Sequence, residues 1–115
     1  MSTQPFQPNG PTVLITANAT APSPVQVTPN VATMQSFTYR VANPEANETI
    51  FYAMGVSAEA ATASAASIIS AGNNRALYPL PAGAVEVVRG PANAFFTGMT
   101  RTAAANMYVT PGEGM

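Results

Sequence analysis

The sequence predicts a small all-β fold, an antiparallel sandwich or barrel built from short strands. About eight short apolar runs recur at the spacing of roughly 8 to 12 residues that is typical of such folds. The chain has 11 prolines and 8 glycines to form turns between these runs, and only residues 57–71 carry a helical pattern. A chain of 115 residues suits one hydrophobic core, so we expect a single domain at residues 12–115 preceded by an arm at residues 1–11.

The arm is predicted to be extended, with few internal hydrogen bonds. It contains Pro5, Pro8 and Pro11 together with Gly10 and several polar side chains. Phe6 is the exception, and it is either an exposed side chain or an anchor that docks into a neighbouring surface. We therefore include Pro5, Phe6 and Pro8 among the candidate partner-binding residues.

Three strands are predicted in the first part of the domain. Residues 12–17 place Val13 and Ile15 on one face and Leu14 on the other. Residues 25–27 form a short strand, and the proline that closes it favours an edge position. The third strand lies at residues 34–41.

The clearest alternation of apolar and polar residues lies at residues 34–41. It places Tyr39 and Val41 on one face, and Thr38 and Arg40 on the other. This pattern is typical of a strand with one buried face and one face towards solvent.

The middle of the chain contains two further strands and one ambiguous segment. Residues 49–54 are apolar on both faces, which indicates a central strand that is covered on both sides. Residues 57–71 are rich in alanine and are either a short helix or a looping excursion. Residues 76–80 contain a proline and are predicted to form an edge strand.

The last third of the chain reads as a three-stranded meander. Its strands are residues 84–89, 94–99 and 104–109, joined by short connections. Because neighbouring residues of a strand point to opposite faces, one of Phe95 and Phe96 enters the core and the other faces outwards or towards a second layer. Residues 110–115 are interpreted as a strand end available to a partner. The candidate partner-binding residues here are Phe95, Phe96, Arg101, Tyr108 and Met115.

Charge is scarce along the whole chain. Only 8% of the residues are charged and the net charge is −1, whereas soluble proteins carry about 25% charged residues. A weakly charged surface is tolerated best where partners cover it, so the composition favours a protein that is a subunit of a larger assembly. Four arginines and no lysine cannot form a basic patch, so we expect no nucleic-acid partner. No apolar run reaches the ~20 residues that span a bilayer, so we expect no membrane partner.

The residue types needed for catalysis are missing. The chain has no His, Lys or Cys, so a serine or threonine nucleophile has no base of the usual kinds and a metal lacks its common ligands. Glu45 and Glu48 lie in a polar loop and are expected to be solvated. Glu86 is expected on a strand surface beside an arginine. We expect no enzymatic activity, no metal and no cofactor.

Several segments resemble small virion proteins of tailed bacteriophages, most of all head decoration (cement) proteins. The segments that carry this resemblance are YRVAN at 39–43, FYAMG at 51–55, LPAGAVEV at 80–87, PANAFF at 91–96 and MYVTPGEG at 107–114. The resemblance covers about residues 36–115 and consists of strand ends and turns. It implies a β-sandwich or jelly-roll that binds the outer face of a capsid as an oligomer, across boundaries between major capsid subunits.

The expected function is therefore that of a virion structural protein on the capsid surface, made in the host cytoplasm. Its expected partners are the major capsid protein and further copies of itself, as a dimer or trimer. Two alternatives stay open. One is another virion part, such as a head fibre base, a connector or a tail protein. The other is a small carbohydrate-binding module, which would need a cleft lined by exposed tyrosines.

Overall fold

The computed structural model describes residues 7–8, 10–27, 38–59, 61, 77–90, 93–101 and 103–113, without the side chains of Gln7 and Glu113. These residues form nine strands: β1 (Gln7–Pro8), β2 (Val13–Ala17), β3 (Val25–Gln26), β4 (Thr38–Ala42), β5 (Ile50–Gly55), β6 (Tyr78–Leu80), β7 (Val85–Arg89), β8 (Phe95–Met99) and β9 (Ala105–Glu113). Within the same residues, no helix is long and apolar enough to cross a membrane.

The strands form two antiparallel sheets, so the predicted sandwich is confirmed. The first sheet has the order β2-β9-β4-β7, and β1 pairs with the far end of β9 on the same edge as β2. The second sheet has the order β3-β8-β5-β6. The pairs β2 with β9, β3 with β8, β4 with β7 and β5 with β6 are those of one long hairpin rolled around itself. That arrangement is the jelly-roll.

The predicted C-terminal meander is wrong in its pairing. Its three strands exist as β7, β8 and β9, but β7 and β9 belong to the first sheet and β8 to the second. Connections of four or five residues are long enough either to turn a hairpin or to cross from one sheet to the other. Asn93, in the connection before β8, has φ 52°, a left-handed conformation that asparagine adopts more readily than most residues. The local sequence therefore indicates a turn without fixing which strand follows beside it.

The core lies between the two sheets. Tyr39 from the first sheet and Phe96 from the second are both fully buried, and their rings meet edge to face at 5.0 Å. The Tyr39 hydroxyl accepts a hydrogen bond from the Ala94 N–H at 3.1 Å. The aromatic contact and this bond together fix the start of β8 against β4.

Strand β5 is covered on both faces, as its sequence predicts. Ile50 and Tyr52 face the core between the sheets. Phe51 and Ala53 face the opposite way and are buried in a second apolar cluster that includes Leu77. Leu77, which precedes β6, and the partly buried Ala21 pack against this outer face.

Of the alanine-rich segment at 57–71, the structure describes residues 57–59 and 61. The Ala61 N–H donates to the Ser57 carbonyl at 3.1 Å, which closes one helical turn. Ala61 is fully buried. The remainder of the predicted helix or loop lies outside the described residues, as do residues 34–37 of the third predicted strand.

Thr38 differs from its predicted exposure. The alternation of β4 places it on the outer face with Arg40, yet it is 1% exposed. Its hydroxyl donates to the Gly112 carbonyl at 2.9 Å. The neighbouring strand covers the threonine, so a hydroxyl that suits solvent is satisfied by the backbone instead.

Residues 110–113 are part of the sheet, which corrects their interpretation as a strand end available to a partner. Thr110, Pro111 and Gly112 are buried within β9, between β4 on one side and the β1–β2 edge on the other. On the β4 side of β9, pairing runs through Pro111 without a break. On the other side, Pro8 pairs with Gly112 and the next pair is Val13 with Val109. Four residues of the N-terminal part therefore stand against two residues of β9, which is a bulge. The missing N–H of Pro111 therefore falls at a bulge, where proline is tolerated.

Four connections meet at one end of the sandwich, which we call the loop end: residues 18–24, 43–49, 81–84 and 100–104. Asn43 ties this end together and is buried. Its side-chain amide donates to the carbonyls of Glu48 at 2.8 Å and Leu80 at 2.9 Å. Its side-chain oxygen accepts the Glu45 N–H at 3.1 Å. One side chain thus joins the loop after β4 to the end of β6.

We expect Asn43→Ala to lower the free energy of unfolding by about 1–3 kcal/mol, because it leaves buried backbone groups without partners. Chemical denaturation measures this change. Asn47→Ala is the matched control, since Asn47 lies exposed in the same loop and its replacement should change stability by no more than about 0.5 kcal/mol. Equal effects of the two substitutions would show that the buried bonds are not what holds the loop.

Candidate functional site

The outer face of the first sheet carries a row of apolar side chains that crosses all four strands. Leu14 pairs with Tyr108, Tyr108 pairs with Ala42, and Ala42 pairs with Val85. Directly paired residues of antiparallel strands point to the same face, so these four side chains lie side by side. We call them the apolar row.

The apolar row is open to solvent. Leu14 is 52% exposed, Tyr108 39% and Val85 59%, and Ala42 is half-buried. Only six large hydrophobic side chains among the described residues are exposed to this degree, and three of them belong to this row. Single exposed hydrophobics are ordinary, whereas a contiguous set on one face marks an interaction surface.

The row next to it on the same face is more polar. It contains Thr110, Arg40 and Val87, which are aligned by the same strand pairing, and Thr12, which reaches Thr110 through its hydroxyl. The two threonine hydroxyls lie 2.7 Å apart and share a hydrogen bond. On the other side of the apolar row, the Thr16 hydroxyl donates to the Asn106 side-chain oxygen at 3.1 Å. The apolar row is thus bordered by hydroxyl and amide groups on one flat surface.

Of the candidate partner-binding residues, Tyr108 lies at the centre of the apolar row. Phe96 does not qualify, because it is fully buried in the core and offers no surface to a partner. Phe95 is half-buried on the outer face of the second sheet, and Pro8 is exposed in β1. The remaining candidates, Pro5, Phe6 and Met115, lie outside the described residues.

Arg101 lies at the loop end and is exposed. Its guanidinium carbon is 5.2 Å from the centre of the Phe51 ring, a cation–π contact. It borders an open cleft of about 370 Å³ with Asn47, Glu48, Thr49 and Phe51. The Phe51 ring lies beneath the arginine and is 8% exposed.

The glutamates have structural partners that the sequence does not reveal. A carboxylate oxygen of Glu45 accepts the Asn106 N–H at 2.8 Å and so continues the hydrogen bonding of β9 past the end of β4. Glu86 accepts a hydrogen bond from the Tyr52 hydroxyl at 3.3 Å. Glu45 is therefore hydrogen-bonded to β9, and Glu86 is hydrogen-bonded to β5.

Tyr52 and Tyr39 hold their protons more tightly than free tyrosine. Burial raises the pKa of Tyr52 well above its ordinary value, and the nearby Glu86 carboxylate raises it further. Burial also raises the pKa of Tyr39, opposed in part by the N–H groups of Ala94 and Asn93. Near neutral pH these hydroxyls act as hydrogen-bonding groups of the core, not as bases.

Neither a cluster of acidic side chains nor a cleft lined by tyrosines is found among the described residues. Among the described residues, no three acidic side chains lie close enough together to hold a metal ion. Tyr39 and Tyr52 are buried, while Tyr78 and Tyr108 belong to different sheets. The four tyrosines therefore do not line one cleft.

Comparison of the chain with protein family models, with curated protein sequences and with solved structures finds no match.

We expect Tyr52→Phe to change the alkaline stability of the protein. Because the pKa of Tyr52 is raised in the folded state, its contribution is fully present below the unfolded value of about 10. It is lost as the pH rises above that value, at about 1.4 kcal/mol for each pH unit. Unfolding free energies measured from pH 9 to pH 12 should fall less steeply in Tyr52→Phe than in the wild type.

Tyr108→Phe is the matched control for this measurement, because it removes a solvent-exposed hydroxyl. Its stability profile should run parallel to that of the wild type. If both variants flatten the alkaline decline equally, burial of Tyr52 beside Glu86 is not its cause.

Proposed function

We propose that this chain is a non-enzymatic structural protein of a tailed-phage virion, a decoration protein that binds the major capsid protein on the outside of the head. The observation that carries this proposal is the apolar row, which crosses an entire sheet and is exposed along its length. A surface of this kind suits a flat protein partner better than a small ligand.

The energetics favour a broad contact. Burying an exposed large hydrophobic side chain contributes on the order of 1–2 kcal/mol, so Leu14, Tyr108 and Val85 together supply a few kcal/mol. Association itself costs more than that in lost freedom of motion. The hydroxyl and amide groups that border the apolar row must therefore contribute contacts as well. Because these groups are neutral, burying them under a partner costs less desolvation free energy than burying charged groups would.

The fold agrees with this role without specifying it. Jelly-rolls serve as viral capsid proteins, but also as lectins and other binding domains. The scarcity of charge adds to the proposal, because only 8% of the residues are charged and such a surface is best tolerated under a partner. The resemblance of residues 36–115 to phage decoration proteins is consistent with both features.

Residues 7–8 of the predicted arm are held against β9, so any contact of the arm with the capsid would begin beside that strand. Gln7 and Pro8 pair with Glu113 and Gly112 of the same chain. Phe6 immediately precedes this pairing, so an anchoring role for Phe6 would act next to the end of β9. The apolar row and the arm would then contact the capsid from the same sheet.

We expect Leu14→Glu and Tyr108→Glu each to weaken binding to the heads of the phage that encodes this chain by at least about tenfold. The reason is that each substitution would bury a charge at the contact. Co-sedimentation of purified protein with empty heads measures both the affinity and the ratio of bound protein to capsid subunit. Val56→Glu is the matched control, because Val56 is 72% exposed and lies away from the apolar row.

The proposal requires saturable binding in a fixed ratio to the capsid subunit. Equal binding by the three glutamate variants would remove the apolar row from the contact. A density reconstruction that places the protein at the tail or the portal would overturn the decoration role in favour of another virion part. Binding to glycans instead of heads would favour the carbohydrate-binding module.

A further inference from the structure

Strand β7 is an open edge of the first sheet. Within the described residues it pairs with β4 alone. The Asn43 N–H donates to the Ala84 carbonyl at 2.9 Å and the Asn43 carbonyl accepts the Gly83 N–H at 2.9 Å, so Asn43 faces the start of β7 as the residues of a hydrogen-bonded pair do. Because such pairs alternate along an antiparallel ladder, Glu86 and Val88 direct their backbone groups to β4. The backbone N–H and C=O groups of the alternate residues, Val85, Val87 and Arg89, point away from the sheet.

The other sheet edges carry features that oppose pairing with a further strand. Strand β6 contains Pro79, and β3 has only two residues and follows Pro24. The β1–β2 edge contains Pro8 and is broken by the bulge opposite Pro111. Strand β7 has five residues, no proline and three valines. It therefore lacks the proline, the short length and the bulge that protect the other edges.

We propose that β7 pairs antiparallel with β7 of a second copy of this chain, forming a two-fold dimer in which the first sheet continues from one copy into the other. An antiparallel pair related by a two-fold axis must bring residues of the same face opposite one another. The register that uses every outward backbone group places Val87 opposite Val87 of the second copy and Val85 opposite Arg89 of the second copy. This register forms six backbone hydrogen bonds, two at each of three residue pairs.

Neighbouring registers are poorer. A shift by two residues in one direction brings Glu86 opposite Glu86 of the second copy, and like charges directly opposite one another are destabilising. A shift in the other direction brings Val85 opposite Pro91, which has no N–H to donate. The self-complementary register therefore follows from the sequence of β7 itself, and this is why the second strand is assigned to another copy of the chain.

The dimer would present two apolar rows on one face. Its two-fold axis runs perpendicular to the sheet, so both rows point the same way. A protein with two equivalent binding surfaces can contact two neighbouring subunits at once and gains avidity from doing so. The dimer does not depend on the proposed capsid role, but it supplies what bridging between capsid subunits requires.

Sedimentation equilibrium of the purified protein alone tests this proposal. We expect a concentration-dependent mass that reaches twice the 11.8 kDa of the chain. Val85 is 59% exposed, so charges are tolerated there in the monomer. Val85→Lys would face an arginine of the second copy and should weaken the dimer by about tenfold, whereas Val85→Glu would face the same arginine and should tighten it by several-fold.

Val87→Pro removes an outward N–H at the centre of the proposed ladder while leaving the bonds to β4 in place, so it should abolish the dimer. Thr16→Pro is its matched control, because Thr16 lies in β2 at the opposite edge of the same sheet, where its N–H also points outwards. Thermal melting of each variant verifies that it is folded.

A wild-type protein that stays a monomer up to concentrations of about 1 mM, the range of weak association, would overturn the proposal and leave the test of capsid binding unaffected. A dimer in which Val85→Lys and Val85→Glu shift the affinity in the same direction would also overturn it. Loss of the dimer in Thr16→Pro but not in Val87→Pro would assign the contact to the opposite edge.

Discussion

Strand β9 is the constraint on which the rest of the structure depends. It is the longest strand described, with nine residues, and it pairs with β1 and β2 on one edge and with β4 on the other. Val13 pairs with Val109, so the first sheet closes only when distant parts of the sequence meet. Since β7 pairs with β4, every strand of the first sheet is positioned directly or indirectly by β9. The apolar row exists because of this alignment.

Hydroxyl and amide side chains, which carry no charge, form the buried side-chain hydrogen bonds described in this fold. Thr38, Thr97 and Thr100 are buried, and each donates its hydroxyl to a backbone carbonyl at 2.6 to 2.9 Å. Asn43 joins two positions of its own loop, Glu45 and Glu48, to the end of β6 in the same way. Such groups satisfy buried backbone without the desolvation cost of a charge. A fold held together by neutral polar groups can leave its outer surface nearly uncharged.

Local alternation in the sequence was enough to predict strands β2 to β9 and several of their faces, whereas β1 lies in the segment predicted as an arm with few internal hydrogen bonds. Ile15 inside and Leu14 outside, the double cover of β5, and the edge positions of β3 and β6 all follow from patterns of a few residues. The order of strands within the sheets could not be predicted that way. Short connections such as residues 90–94 permit either a hairpin or a crossing between sheets, and tertiary packing decides between them.

The apolar row could likewise be predicted from the sequence only in part. Tyr108 was predicted as a contact residue from its own sequence segment. Leu14, Ala42 and Val85 were missed, because each is an ordinary strand residue until the register places it beside Tyr108. The exposed side chain of Leu14 between two inward-facing residues was the one local signal. Phe95 and Phe96 could be recognised as facing opposite ways, but only the packing against Tyr39 shows that Phe96 is the inner one.

The bulge opposite Pro111 divides the β1–β2 edge of the first sheet into two paired segments of different length. Strand β2 holds five paired positions beside β9, whereas β1 holds two. Because the residues between them are out of register with β9, opening of β1 need not propagate into β2. Strand β1 can therefore open locally at a lower free energy than global unfolding requires. Amide exchange along this edge should accordingly occur in two separate steps.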